Sequence, residues 1–189
     1  PPLASERELS GLTRLPAAVL APLYDTGDGD GPTVVLTRRT WTMRSHRGEV
    51  SFPGGRSEPG ETPRDAALRE AQEEIGLDPA SVQVVGELDH LATVTSGSFI
   101  VPLVGVIDGR PATVRNPAEV DAILHVPLAE LLDPAIYRDE LWTFPDGRVR
   151  NIFFFELMGD TLWGATAAML RQLLGMVTGT LGRGDLGHP

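Results

Sequence analysis

Glu70, Glu73 and Glu74 stand three and four residues apart in Arg69-Glu70-Ala71-Gln72-Glu73-Glu74-Ile75-Gly76-Leu77. At roughly 100° per residue, a helix gathers these carboxylates within about 100° of one another, while Leu68, Ala71 and Ile75 fall nearly opposite. The ends of such a helix are written in the chain. Thr62 suits an N-cap, Pro63 the first helical position, Asp65 the third residue of a capping box, and Gly76 the stop. The spacing therefore predicts a helix over Pro63–Ile75 with an apolar face docked on a core and an acidic face held elsewhere. That acidic face is locally unfavourable, because like charges at these spacings cost about 0.2–0.5 kcal/mol per pair. It also crowds the last turn, where the helix dipole is already negative. A hard cation such as Mg²⁺ resolves the conflict, taking carboxylate oxygens together with waters and a substrate phosphate.

A second cluster has the opposite sign. Arg38, Arg39, Arg44, His46 and Arg47 lie within ten residues of a chain whose formal net charge is −10 and whose pI is about 4.8. The overall balance disfavours nucleic acid and anionic membranes as partners. A local basic segment on an acidic protein points instead to a specific small anionic ligand. Between the two clusters, Ser51-Phe52-Pro53-Gly54-Gly55 ends a short strand in a tight turn whose glycines let backbone approach a ligand or metal closely. There are no cysteines, which excludes disulfides, thiolate metal sites and cysteine nucleophiles. Four scattered histidines make no metal motif, and no Ser-His-Asp arrangement stands out, so covalent catalysis is disfavoured.

The elements that must position these groups follow from pattern. With 189 residues and 41% hydrophobic content, one domain with a substantial core is expected. That domain would span residues 1–189, with its core at about 14–177. Pro1 to Arg14 reads as a polar arm or short helix. Pro16 to Tyr24 and Thr33 to Arg38 read as strands forming a hairpin across the Asp25–Pro32 turn. Arg39 to Val50 is a polar loop. Val82 to Leu91, Ser98 to Ile107 and Val120 to Val126 read as strands, with a loop at Ala92 to Gly97 and a short helix from Pro127 to Leu132. Leu141 to Phe144 and Arg148 to Leu157 flank the turn Pro145-Asp146-Gly147. Gly164 to Val177 is an amphipathic helix, Trp163 before it reads as core, and Thr178 to Pro189 is a Gly-rich, flexible tail. No apolar run reaches the ~18–20 residues of a membrane span, and no basic-then-apolar leader opens the sequence, so the cytoplasm is the expected compartment. Oligomeric state stays open between monomer and homodimer.

Gly55, five residues, Glu61, seven residues, then Arg69-Glu70-Ala71-x-Glu73-Glu74-x-Gly76-Leu77 resembles the Nudix box of diphosphate hydrolases, with nine fixed positions in 23 residues. Ala71 is smaller than the residue usual at its position. The resemblance implies an α/β fold, a Nudix-like α/β/α sandwich around a mixed β-sheet, and an enzyme dependent on Mg²⁺ or Mn²⁺. It implies Glu70 and Glu74 as primary metal ligands with Glu73 completing the cluster, the Gly54 carbonyl as a further ligand, and Gly55 beside the substrate. Arg69 would orient a glutamate, and Glu61 would support the ligands from behind. The general base would come from Glu73 or Glu74, or from Glu119 in a later loop.

Upstream, Val35-Leu36-Thr37-Arg38-Arg39-Thr40, three residues, Arg44, three residues, Gly48, three residues and Phe52-Pro53-Gly54-Gly55 resemble the signature of coenzyme A pyrophosphatases within that superfamily. Val35 and Thr40 are conservative departures, and Trp163-Gly164-Ala165-Thr166-Ala167 is a weaker match to the same subfamily. This implies hydrolysis of coenzyme A to 3′,5′-ADP and 4′-phosphopantetheine, with an arginine among Arg38, Arg39, Arg44 and Arg47 on the 3′-phosphate. The alternatives are a hydrolase of ADP-ribose or another nucleoside diphosphate derivative, and a non-catalytic nucleotide-sensing module.

Overall fold

The computed structural model describes residues 15–29, 31–42, 47–93, 98–144, 147 and 149–180. The expected N-terminal arm, Arg44, His46, Pro145-Asp146 and the end of the tail lie outside the described residues, as does part of the Ala92–Gly97 loop.

Among the described residues the order is β1 (Leu15–Asp25), β2 (Thr33–Arg39), β3 (Val50–Ser51), β4 (Gly54–Arg56), α1 (Pro63–Ile75), a 3₁₀ turn (Pro79–Ser81), β5 (Val82–Glu87), β6 (Leu91–Ala92), β7 (Ser98–Asp108), β8 (Val120–Pro127), α2 (Leu128–Leu131), β9 (Tyr137–Thr143), β10 (Val149–Leu157), β11 (Asp160–Trp163) and α3 (Gly164–Thr178). β1 to β8 join one sheet along the path β3-β2-β1-β7-β5, with β4 on β1, β6 on β7 and β8 on β2. The sheet is mixed because β1 runs parallel to β7 along its whole length, while the other pairs are antiparallel. Pro22 is tolerated inside β1 because it falls between the segment paired to β4 and the segment paired to β2. β9, β10 and β11 form a second, antiparallel sheet.

Strand alternation sorts the side chains into two cores. Ala18, Leu20 and Tyr24 of β1 and Val35 of β2 face α1, where they meet Ala66, Ala67, Ala71 and Ile75. Small residues line the helix side of this contact, and Ala71 among them is buried against the larger side chains of the sheet. Ala21 of β1 and Val34 and Leu36 of β2 face the other way, toward Phe155 and Leu162 of the second sheet and Met169, Leu170, Leu173 and Leu174 of α3. Helices thus cover both faces of the mixed sheet, the expected layered α/β architecture.

α1 keeps its expected ends. Asp65 N–H donates to Thr62 Oγ1 at 3.2 Å, the Thr62 hydroxyl donates back to Asp65 Oδ2 at 2.6 Å, and Gly76 closes the helix at φ 66°. Such a cap contributes about 1 kcal/mol. Other expectations need correction. The β1–β2 hairpin pairs only at Leu23↔Val34 and Tyr24↔Thr33, since on the edges they share β1 gives Ala17–Val19 to β4 and β2 gives Thr37 and Arg38 to β3. Gly54 and Gly55, expected in a turn, begin strand β4. The strand expected over Val82–Leu91 breaks into β5 and β6 around residues 88–90. β11 had no expectation at all, and Trp163 at its end is not core: it is half-exposed, stacked on Phe154 at 9° between ring planes.

Candidate active site

The site forms where α1, β4, the end of β2 and the loop before β8 meet. Its centre is Glu74. The sequence predicts an acidic face turned away from the core, but Glu74 is only 2% exposed and counts among the buried residues of α1. Its carboxylate accepts a hydrogen bond from Gly54 N–H at 3.2 Å and faces Arg39 Nη1 at 3.5 Å, longer than a charge-assisted hydrogen bond. Burial pushes its pKa up to about 7. Arg39 and the Gly54 amide pull it down, and the charges of Glu70 and Glu119 push it further up.

Glu70, one turn earlier, lies against Gly55. A Cβ on Gly55 would stand 2.5 Å from the Glu70 carboxyl carbon, so the glycine is what leaves room for the carboxylate. A Cβ on Gly54 would instead meet backbone, 2.5 Å from the Ala18 carbonyl oxygen and 2.6 Å from Val19 Cα. Burial raises the Glu70 pKa, opposed by Arg69 and reinforced by Glu73 and Glu119. Arg69 ties the ring of acids together. Its Nε and Nη2 donate to Glu61 at 2.9 and 3.1 Å, its Nη1 to Glu70 at 3.1 Å and Glu73 at 3.2 Å, and Nη2 also to the Arg56 carbonyl at 3.0 Å. The Arg69 hydrogen bond holds Glu61 below the usual carboxylate range. Glu73 stays at the rim, with 54% of its side chain exposed.

Glu119 arrives on a loop that is sewn to the end of α1. Val114 N–H and Asn116 N–H donate to the Ile75 and Glu74 carbonyls at 2.9 and 2.8 Å, occupying acceptors the helix end leaves free. Asn116 then organises the next turn. Its side-chain oxygen accepts from Ala118 N–H, and its carbonyl accepts from Glu119 N–H and Val120 N–H. Thr40 N–H donates to the Glu119 carbonyl at 2.9 Å, fixing this loop to the end of β2. Asn116 had no expected role, and the signal that could have exposed it is the turn-forming pair Asn116-Pro117.

The two adjacent arginines part company. Arg39 faces α1 and Glu74. Arg38 points to the opposite face of the sheet, where Nε reaches Asp121 Oδ2 at 2.9 Å and Nη1 reaches Asp160 Oδ2 of β11 at 3.0 Å. A bulge helps, since Arg38 pairs with Ala122 and Arg39 with Val120, leaving Asp121 as the extra residue. Both carboxylates raise the Arg38 pKa, the Asp160 hydrogen bond most strongly. Arg38 is therefore committed to joining the two sheets. The structure brings together Glu70, Glu74, Glu119, Arg39, Gly54 and Gly55. Arg69, Glu61 and Glu73 form the adjoining network, and Arg47 lies in the loop before β3.

The donors suit a hard divalent cation. They are carboxylate oxygens, and those of the buried Glu74 meet, among the described residues, the Gly54 amide at 3.2 Å and Arg39 at 3.5 Å. Among the described residues no three acidic or imidazole side chains close into a cage. A Mg²⁺ ion held by Glu70 and Glu74 would complete its shell with water and substrate phosphate.

The family profile of the NUDIX domain matches residues 14–146. Nudix hydrolase NudL of Photorhabdus laumondii is 39% identical over 158 residues, covering 83% of this chain and 82% of that protein. Nudix hydrolase 3 of Caenorhabditis elegans is 32% identical, covering 97% of this chain and 88% of that protein. The crystal structure of RenU, a Nudix hydrolase from M. smegmatis, shares the fold with a TM-score of 0.60 at 21% identity, over 89% of this chain and 88% of that one. The chain belongs to the Nudix hydrolase family.

Proposed function

We infer that this Nudix hydrolase, whose family acts on nucleoside diphosphate derivatives, cleaves the diphosphate of coenzyme A to 3′,5′-ADP and 4′-phosphopantetheine. The observation that carries the reading is the meeting of the two sequence motifs on one carboxylate. Arg39 and Gly54, from the segment resembling coenzyme A pyrophosphatases, both contact Glu74 of the Nudix box.

Glu70 and Glu74, with Glu73 at the rim, would hold the divalent cation, Mg²⁺ or Mn²⁺, which neutralises charge on the phosphoryl oxygens and makes bound water more acidic. The remaining work falls to the chain itself. Arg69 orients Glu70 and Glu73 and is itself held by Glu61. Gly54 and Gly55 let the backbone of β4 lie against the two carboxylates. Glu119, on a loop bonded both to α1 and to β2 and near Glu70 and Glu74, would accept the proton of the attacking water, with Glu73 or Glu74 as the alternative base. Arg39, which faces the buried carboxylate, would present a cation to the diphosphate, and the 3′-phosphate would fall to Arg47 or, from its place in the sequence alone, Arg44.

The second reading, hydrolysis of ADP-ribose or a similar nucleoside diphosphate derivative, gains from Arg38. With Arg38 held by Asp121 and Asp160, one fewer cation is left for an extra phosphate. Turnover of coenzyme A, 3′-dephospho-coenzyme A and ADP-ribose at fixed Mg²⁺ and Mn²⁺, with products identified, decides between them. Coenzyme A should be favoured over its dephospho analogue by about 10–150-fold in kcat/KM, the worth of one charge-assisted contact. Equal values for the two, or a preference for ADP-ribose, would transfer the assignment to the second reading.

A further inference from the structure

Trp41 is 68% exposed, while Trp142 and Trp163 lie against each other and Phe154 on the second sheet. Exposure alone says little, but this indole is held in place. A Cβ on Gly48 would stand 2.6 Å from Trp41 Cη2 and Cζ2, so the benzo edge of the ring rests directly on the glycine backbone, which adopts φ +67°. Arg39 N–H donates to the Glu49 carbonyl at 3.0 Å and closes the loop that carries both residues. Thr42 Oγ1 donates to Thr40 Oγ1 at 3.1 Å, and Thr40 Oγ1 donates to the Ala118 carbonyl at 3.4 Å. The loop base is thereby fastened to the turn that carries Glu119.

The position along the chain is equally informative. Arg39 faces Glu74, Thr40 is bonded to Glu119, and Trp41 comes next. Two residues span at most about 7 Å, so the backbone that carries the ring lies beside the strand end that bears Arg39. In sequence it belongs to the basic segment Arg38 to Arg47, whose charge complements phosphate. Among the described residues no second aromatic ring covers Trp41. A held, flat π-surface two residues from Arg39 is what a nucleobase requires, since every base presents a π-face and stacking tolerates differences in its edges.

We propose that Trp41, seated on Gly48, is the stacking platform for the heteroaromatic base of the nucleotide half of the substrate. The proposal rests on the reading of the site as one for nucleoside diphosphate derivatives, and it does not depend on coenzyme A being the preferred one. Gly48 then has a definite purpose, because its missing Cβ lets the indole lie flat and present its outer face.

The test is a binding titration followed by Trp fluorescence in the absence of divalent metal, using the full chain with Trp142→Phe and Trp163→Phe. The difference between wild type and Trp41→Phe gives the same signal should the double variant fold poorly. 3′,5′-ADP or 5′-ADP should quench Trp41, whereas inorganic pyrophosphate and 4′-phosphopantetheine should not. Trp41→Ala should raise the Kd for 3′,5′-ADP about 10–100-fold. Gly48→Ala should act in the same direction without removing the ring, and Trp41→Phe should recover part of the affinity. Unchanged ADP affinity in Trp41→Ala, quenching by phosphopantetheine in place of ADP, or no quenching at millimolar ADP would overturn the proposal. So would a concentration-dependent dimer that buries Trp41. Hydrolysis is scored separately: an active enzyme whose nucleotide affinity ignores Trp41 removes the platform alone, while nucleotide stacking without any hydrolysis removes the catalytic reading alone.

Discussion

Arg38 and Arg39 are neighbours in sequence and lie on opposite faces of the sheet. On one face, Arg38 joins β2 to β8 and β11 through two carboxylates and lies above a core of large side chains. On the other, Arg39 meets the buried Glu74 at 3.5 Å above a core rich in alanine. Arg38 has its charge paired at 2.9–3.0 Å, whereas Arg39 is loosely matched at 3.5 Å, even though Arg69 on its own face is tightly paired. Arg39 Nε is even buried without a partner among the described residues. The lesson is that stability and chemistry divide the same strand by parity. Close pairing marks the arginine that only has to hold, and incomplete pairing marks the arginine beside the group that has to accept something.

The sharpest way to break this comparison is at Glu74 and Glu70. Glu74→Gln and Glu70→Gln should each lower kcat by at least ~100-fold with the fold intact, since both remove metal-borne charge stabilisation. Near-wild-type turnover in either at saturating Mg²⁺ would refute their role. Stability should respond in the opposite sense. The folded-state pKa of Glu74 is about 7 against 4.5 in the open chain, so the folded protein holds the extra proton between those values. Stability of the metal-free protein should therefore fall as pH rises through that window, by up to ~3 kcal/mol from this group. Glu70, shifted upward too, adds to the same slope. Glu61, shifted downward, loses its contribution only as pH falls below the ordinary carboxylate range. Thermal melts from pH 5 to 8 should show the decline in wild type, less of it in Glu74→Gln, and its reversal by millimolar Mg²⁺ or Mn²⁺. A flat metal-free profile would contradict the buried carboxylate.

The two glycines of β4 sharpen the contrast between holding and reacting. Gly54→Ala drives a methyl into the backbone of β1 and should lower stability by ~2–3 kcal/mol. Gly55→Ala meets only the flexible end of Glu70, so its melting temperature should stay near wild type while kcat drops, by up to ~100-fold if the carboxylate moves about 1 Å. Paired melts and kinetics on the two variants would show whether these effects separate; loss of stability in both would mean that Gly55 serves packing.

The arginines themselves give the smallest effects. Arg39→Ala should lower kcat/KM roughly tenfold or more, because a charge contact near substrate is lost. Arg38→Ala should act mainly on stability, by ~1–2 kcal/mol, since its pairs are partly solvent-exposed although Asp160 would be left buried. Measuring both properties on both variants tests the division of labour, and a larger kinetic loss in Arg38→Ala would reverse it.

Local signals made α1 legible from end to end, because Thr62, Pro63, Asp65 and Gly76 act on their own neighbours. The same holds for β10 and the last helix. The direction of Glu74 was not legible. Helical angle alone groups it with Glu70 and Glu73, and only the approach of Gly54 from β4 and the loop at Asn116 encloses it. The direction of Arg38 was not legible for a similar reason. Its partners Asp121 and Asp160 lie 83 and 122 residues away in sequence, and no spacing rule links them. The seat of Trp41 on Gly48 depends on loop closure and left no periodic trace.

One pairing also sets a schedule for synthesis. Every residue of β1 finds its parallel partner on β7 about 80 residues later in the chain. At ribosomal rates of ~5–20 residues per second, the central strand of the sheet must wait several seconds for that neighbour. During this interval β1, with Ala18, Leu20 and Ala21 destined for complete burial, has β2 and β4 beside it and no β7. The emerging chain therefore carries an exposed, β-prone apolar edge at the time when other nascent chains are nearest. Yield in the cell should depend on how well that edge is shielded during elongation, as well as on the stability of the finished fold.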